Sequence, residues 1–291
     1  MVMDVSQVSI SEISVSEAIG AAAGRLSPAE RKVAEVVTRD PEAVAFGTVA
    51  EVARLSGTSG PTVVRFAERV GYDGFVGLQA IVRERLSERL RPAVQRIRSD
   101  SATPVLARAL EVEIENVRRT LEAVRADDFE GAVRLLADTR RAVTVLPSEQ
   151  CQSPGRGFAD ELSLLRDHVQ LAGGSEFRLV TELVRLRPDD VVVLIDLQRH
   201  ERWILEAARR VAESGARRVV VSDSLLSPLA RDADHAFAVS ALGAGPFDSN
   251  IGVQVLLNAL IAGVAGKRRN AATRRLDALE AVWTRSGALA E

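Results

Sequence analysis

Thr48-Val-Ala-Glu-Val-Ala-Arg-Leu-Ser-Gly-Thr-Ser-Gly-Pro-Thr-Val-Val-Arg-Phe-Ala-Glu-Arg-Val70 decides how the first third of the chain folds. Val49, Val52, Ala53 and Leu55 form the inner side of one short helix. Gly57 then supplies a left-handed turn, so that a second helix leaves at a steep angle. Ser59 reads as the N-cap of that helix, with its side-chain oxygen placed for the amide near Thr62, and Pro61 lies in the first turn, where a missing N–H costs little. The pattern is a helix-turn-helix. In the second helix Val63, Phe66 and Val70 share a buried face, while Thr62, Arg65 and Arg69 project from other faces.

That outward set suits a groove-reading helix. A helix N-terminus offers amides and partial positive charge to a phosphate, here with Thr58, Ser59 and Gly60 leading into it. Arg65 and Arg69 can reach a phosphate or a guanine edge, and Thr62 a base or its methyl group. Helix–glycine–helix corners also occur as plain packing devices, so the flanks have to decide. Residues 1–45 carry four Lys/Arg against seven Asp/Glu, whereas residues 59–98 carry eight Arg against four acids. Arginine supplies all but Lys32 and Lys267 of the basic residues, a compositional bias that by itself says nothing about phosphate recognition.

The whole chain bounds the answer further. Its 291 residues exceed one ordinary domain, and the net charge of −2 excludes coating of nucleic acid by bulk positive charge. One cysteine, Cys151, excludes an internal disulfide, and His168, His200 and His235 have no metal-ligand spacing. His200-Glu201 lacks the second histidine of a zinc-protease helix, so neither a metal nor a cofactor is expected. No apolar run is long enough to span a bilayer, and Met1-Val-Met-Asp-Val-Ser-Gln-Val lacks the features of a secretory signal. A cytoplasmic protein without a membrane partner is expected.

From about residue 140, short β-branched runs alternate with helical patterns. Ala142–Leu146, Val191–Ile195, Val219–Val221 and Ala233–Val239 read as strands, and Gly157–His168 and Trp203–Ser214 as helices, the latter stopped by Gly215. Such alternation implies a parallel sheet flanked by helices. Residues 251–265 are apolar almost all round and read as a core or dimer helix. The tail from Lys267 reads as a solvated helix end, with Trp283 as a docking residue.

The flanks of the opening motif, Leu26-Ser-Pro-Ala-Glu-Arg-Lys-Val-Ala-Glu-Val-Val37 and Val70-Gly-Tyr-Asp-Gly-Phe-Val-Gly-Leu78, resemble the N-terminal domain of the RpiR family of bacterial transcriptional regulators. Thr62-Val-Val-Arg-Phe66 followed by Gly71-Tyr-Asp-Gly-Phe75 is the most specific part. Residues 103–139, with Glu113, Asn116 and Thr120, look like the connecting helices of that family, and 140–265 like its sugar isomerase (SIS) domain. The resemblance implies a multidomain chain: an all-α helix-turn-helix domain over 1–95, a helical linker over 96–139, an α/β SIS-type domain over 140–270 and a tail over 271–291. It further implies a double-stranded DNA operator, an effector bound by the SIS domain, and a homodimer or homotetramer.

The phosphate loops depart from the family pattern. Where a glycine-rich turn is usual after the first strand, this chain has Pro147-Ser-Glu-Gln-Cys-Gln-Ser-Pro-Gly155. Where a Ser-x-Ser-Gly-x-Thr turn is usual, it has Asp196-Leu-Gln-Arg-His-Glu201. Unusual binding of a sugar phosphate, or none, is therefore expected. The effector contacts fall on Ser148, Gln150, Arg156, Asp196, Gln198, Arg199 and His200, and one reading has Arg156, Arg199, His200 and Arg202 supplying charge to a different small anion. Two alternatives stand beside this: a ligand-free dimerisation platform on a constitutive DNA-binding protein, or an isomerase using Glu161 and His235. With its phosphate anchors replaced, an enzyme is not expected and no catalytic residue is assigned.

Overall fold

The first helices begin where side chains close back on the backbone. Ser27 and Glu30 form a reciprocal cap, Ser27 N–H donating to Glu30 Oε2 at 2.8 Å and Glu30 N–H to Ser27 Oγ at 3.3 Å. Thr48 and Glu51 repeat the arrangement at 2.7 and 3.3 Å. The computed structural model describes residues 15–39, 41–89, 104–225 and 227–287. They divide between two units, Met1–Pro92 and Ala93–Glu291. The expected boundary at 95/96, the N-terminal octapeptide and the last four residues of the tail lie outside the described residues.

Six described helices make the first unit: α1 (Val15–Ala22), α2 (Pro28–Arg39), α3 (Pro41–Phe46), α4 (Val49–Leu55), α5 (Gly60–Arg69) and α6 (Gly74–Arg89). Their core gathers Val33, Val37, Val44, Val52, Val63, Phe66, Ala67 and Leu78. Gly57 has φ 59°, with its N–H on Arg54 O at 3.2 Å and Thr58 N–H on Ala53 O at 2.8 Å. This double closure needs a left-handed residue just past the helix end, where a side chain would be strained. Leu55, read as an inner residue, is instead exposed, because it ends α4 as the chain turns away.

The second unit is a three-layer α/β structure. Helices α7 (Val105–Ala123) and α8 (Ala126–Ala137) precede β1 (Val143–Pro147), α9 (Gln152–Leu165), β2 (Val169–Leu171), α10 (Glu176–Val184) and β3 (Val191–Ile195). Then follow α11 (Arg202–Ser214), β4 (Arg217–Ser222), β5 (His235–Ala238), α12 (Ile251–Lys267) and α13 (Arg269–Ser286). All strand pairs are parallel, in the order β2-β1-β3-β4-β5. Val143, Val145, Val191, Val193, Val219 and Val221 pack with α8, α9 and α12, while Leu146, Val192, Leu194 and Val220 pack with α10 and α11. The period of two within continuous apolar runs is that of strands buried on both faces.

Four expectations change. Helix α9 starts at Gln152, five residues earlier than read, because Pro154 falls in its first turn and is tolerated there. Strand β2, which follows directly on the helix expected to run to His168, has no counterpart in the expected strands; it is a three-residue edge strand, too short and too polar to register as an apolar run. The tail over 271–291 is largely helix α13, which buries Ala272 and ties Arg275 to Asp167 at 2.7 Å. The segment read as a linker over 96–139 is anchored in the second unit. Asn116 Nδ2 donates to Leu242 O at 2.8 Å, and Ser240 N–H donates to Thr120 Oγ1 at 2.9 Å. Ser249 Oγ reaches Glu113 Oε2 at 2.7 Å. A Cβ on Gly252 would stand 2.2 Å from Ser240 O and 2.7 Å from Thr120 Oγ1, so only glycine fits beneath this network.

The strand order also sets a topological switch point. The chain leaves β1 for β2 on one side and returns to β3 on the other, so the loops after β1 and β3 diverge, and ligands of open α/β sheets enter at such a point.

Candidate functional site

Two regions carry functional residues, one in each unit. In the first, Ser59 is the N-cap of α5, but its hydroxyl meets the Thr62 hydroxyl at 2.9 Å instead of a backbone amide. No side chain caps α5, and Pro61 lacks an N–H, so the amino end of this helix keeps a deficit of protein acceptors. Thr58 is half-buried, with its hydroxyl 2.7 Å from that of Ser56. A Cβ on Gly60 would lie 3.3 Å from Val49 Cγ1, which explains a small residue where α4 and α5 approach. Arg65 is exposed and lies 3.4 Å from Thr62 Oγ1.

One outward expectation fails, and a second side chain is outward but already engaged. Thr62 is 7% exposed, since it sits one turn before Phe66 and shares its inner face. Arg69 is committed to the protein. Its Nε lies 3.1 Å from Glu30 Oε1 and its Nη1 donates to Arg25 O at 3.0 Å. Burial alone would raise the Glu30 carboxyl, but the Ser27 amide and hydroxyl and the charges of Arg69 and Arg65 hold it below its ordinary range. The ion pair ties the end of α5 to the start of α2.

In the second unit, the loops after β1 and β3 are laced together. Ser148 N–H donates to Ile195 O at 2.8 Å, and Gln150 Nε2 donates to Leu197 O at 3.1 Å and Gln198 O at 3.3 Å. Asn250 Nδ2 donates to the Gln150 carbonyl at 2.9 Å. Asp196, almost fully buried, meets His200 Nδ1 at 2.5 Å, and His200 Nε2 lies 3.3 Å from Ser227 Oγ. Burial depresses the imidazole pKa, but the bond to Asp196 and the fields of Asp196 and Asp223 outweigh it and raise it above the usual histidine value. Arg156, Arg199 and Arg202 are exposed, Arg199 with φ 68°. His200 has both ring nitrogens engaged and is not a free cation for an anion.

The carboxylates here were not all foreseen. Glu201 Oε1 accepts from Glu149 N–H at 3.3 Å, and its Oε2 accepts from Trp203 Nε1. Burial first, then the fields of Asp196 and Asp223, push the Cys151 thiol up to about 12, so it stays protonated and unreactive at neutral pH. Glu161 and His235 are not assembled into an acid–base pair. Glu161 is exposed, while His235 starts β5 and bonds Asp128 at 3.2 Å. Among the described residues, no group of His, Cys, Asp and Glu could hold a metal ion.

Residues 5–89 match the helix-turn-helix domain of the rpiR family, and residues 168–262 match the SIS domain. The chain thus carries an rpiR-family helix-turn-helix domain followed by an SIS domain, the make-up of a DNA-binding transcriptional regulator. It is 24% identical over 269 residues to an uncharacterised HTH-type transcriptional regulator of Caldanaerobacter subterraneus subsp. tengcongensis, covering 86% of its own length and 90% of the relative. An uncharacterised regulator of Haemophilus influenzae is 22% identical over 227 residues, covering 75% and 76%. The sugar isomerase domain of an RpiR transcription factor from Sphaerobacter thermophilus superposes with a TM-score of 0.55 at 26% identity, covering 60% of this chain and 97% of that one. The Vibrio vulnificus NanR protein complexed with ManNAc-6P shares the fold, with a TM-score of 0.53 at 15% identity over 91% of this chain and 98% of its own.

In the SIS unit, the sequence locates the two loops but not what fills them. Glu201 and Asn250 are 52 and 100 residues from their partners Glu149 and Gln150. The one local signal was an acid at the N-cap of α11 beside an unmatched tryptophan.

Proposed function

We propose that the amino end of α5 reads operator DNA. Thr58, Ser59 and Gly60 bring backbone to a phosphate, and Arg65 reaches a phosphate or a base edge. Thr62 and Arg69 position this surface from behind, Thr62 through the Ser59 hydroxyl and Arg69 through Glu30. The single observation that carries the reading is an uncapped helix end with an exposed arginine one turn in, behind a glycine elbow.

The second unit serves as an effector and dimerisation module of a cytoplasmic regulator, not as an enzyme. No single described helix is long and apolar enough to cross a membrane. The likeness in fold to the NanR protein that holds ManNAc-6P supports a small-molecule site. Isomerisation needs an anchored phosphate, and here Glu149 after β1 and Glu201 after β3 bring two carboxylates to the loops where an anchor would stand. Exposed Leu106, Leu110, Ile114 and Leu121 along α7 support pairing with a second copy, which would match a palindromic operator.

The test is fluorescence anisotropy with a duplex from upstream of the gene. Wild type is expected to bind with steep salt dependence, and Arg65→Ala to bind about tenfold to a hundredfold more weakly. Absence of binding at low salt, or an unchanged Arg65→Ala, overturns the reading.

A further inference from the structure

The crevice after β1 and β3 has the wrong polarity for a phosphate. A phosphate presents acceptor oxygens and needs donors around it. The Glu149 amide, the donor of this loop, is already held by the Glu201 carboxylate at 3.3 Å. Glu201 is thus an internal anion in the position an external one would claim, with Trp203 Nε1 as its second donor.

What is left unsatisfied has the opposite character. Asp196 is 1% exposed and spends Oδ2 on His200, while its Oδ1 is buried without a hydrogen-bond partner. Gln198 Oε1, from the same pair of loops, is likewise buried without a partner, while the Ser148 hydroxyl beside it meets the Cys151 thiol. Both unpartnered atoms can only accept. Each such orphan is destabilising when nothing meets it. Asp223 adds negative field, acting on both His200 and Cys151. A phosphate oxygen brought against Asp196 Oδ1 and Gln198 Oε1 would meet two pure acceptors. A ligand must bring N–H or O–H donors, and beside Asp196, already bonded to His200, the best of these is a cationic one. Metal cations fit poorly, since no set of ligating side chains stands close enough among the described residues. Gln150 is exposed and spans the mouth between the two loops, so turning its side chain outward opens the way in.

We infer that this crevice binds a small molecule by a protonated amine seated on Asp196, with Gln198 taking its remaining donors, and that it rejects sugar phosphates because Glu201 occupies their place. The inference rests on the reading of the second unit as an effector module.

The experiment uses the full chain, with calorimetry and thermal shift against putrescine, glucosamine, glucosamine 6-phosphate and inorganic phosphate. Putrescine or glucosamine is expected to bind saturably and raise Tm. Inorganic phosphate is expected to leave wild type unchanged, and glucosamine 6-phosphate to bind more weakly than glucosamine. Asp196→Asn is expected to weaken amine binding by at least about tenfold. Should that variant fail to fold, Glu201→Ala carries the test: it frees the Glu149 amide and is expected to admit phosphate that wild type rejects. Micromolar binding of a phosphate to wild type overturns the inference, as does silence from both amines, or a Glu201→Ala that stays blind to phosphate. Anisotropy on the upstream duplex, run alongside, separates the two readings. DNA binding retained without amine binding sinks the inference alone, whereas amine binding without DNA binding sinks the regulator reading and leaves the crevice chemistry standing.

Discussion

The elbow between α4 and α5 and the turn between β1 and α9 both deliver the chain into a helix N-terminus, yet one end stays open and the other is filled. At the elbow every contact is made within a few residues: Gly57 and Thr58 close on Arg54 and Ala53, and Ser59 meets Thr62. At the β1 turn the contacts come from far along the chain, with Glu201 on the Glu149 amide and Asn250 on the Gln150 carbonyl. A helix end closed only by local bonds remains available to an outside anion such as a phosphate diester. One that has drawn in a carboxylate from another loop has lost that use. The same local element, a helix N-terminus, therefore serves recognition in one unit and internal cohesion in the other.

The comparison breaks most severely if the elbow loses its support. Phe66 is fully buried behind α5, and Phe66→Ala is expected to destabilise the first unit by about 3–5 kcal/mol. Urea unfolding followed by circular dichroism should show an early transition from the helical unit, with the later one from the α/β unit in place.

A finer contrast comes from paired variants. Gly57→Ala forces a side chain into a left-handed position and is expected to cost about 1–2 kcal/mol. Gln150→Ala removes two hydrogen bonds from an exposed side chain and is expected to cost less, because water replaces them. Equal costs would show that the β1 turn is as locally determined as the elbow.

The smallest effect is a pH dependence. The folded His200 pKa is raised, so the Asp196–His200 pair stabilises fully below the unfolded histidine value of about 6.5 and less as pH rises through the folded value. The advantage of wild type over His200→Gln in urea midpoint should be greatest near pH ~5.5 and shrink by pH ~9. A constant difference across that range would mean that the pair does not titrate in the native state.

Much of the fold was legible. The left-handed Gly57, the stop at Gly215, and the strands at Val191–Ile195 and around Val219 follow from spacings of one to seven residues. Errors arose where a residue had two short-range readings. Thr62 was assigned outward beside Val63, yet its relation to Phe66 one turn later put it inside. Strand β2 was lost because an edge strand, half open to solvent, needs no apolar run. Of the candidate site, the loops were located and their loss of glycine was seen, but their chemistry was not.

From its own residues alone the chain determined helix ends, buried faces and the alternation of strands and helices, since these depend on neighbours that stay neighbours in any conformation. Which side chains are free to act was decided only when distant segments met. Arg69, exposed as it is, was engaged by Glu30, and His200 was paired with Asp196 and reached by Ser227. Glu201 closed on a loop 52 residues upstream. Charge and hydrogen-bonding capacity are spent on whatever lies within about 3 Å, and that company is a property of the tertiary structure.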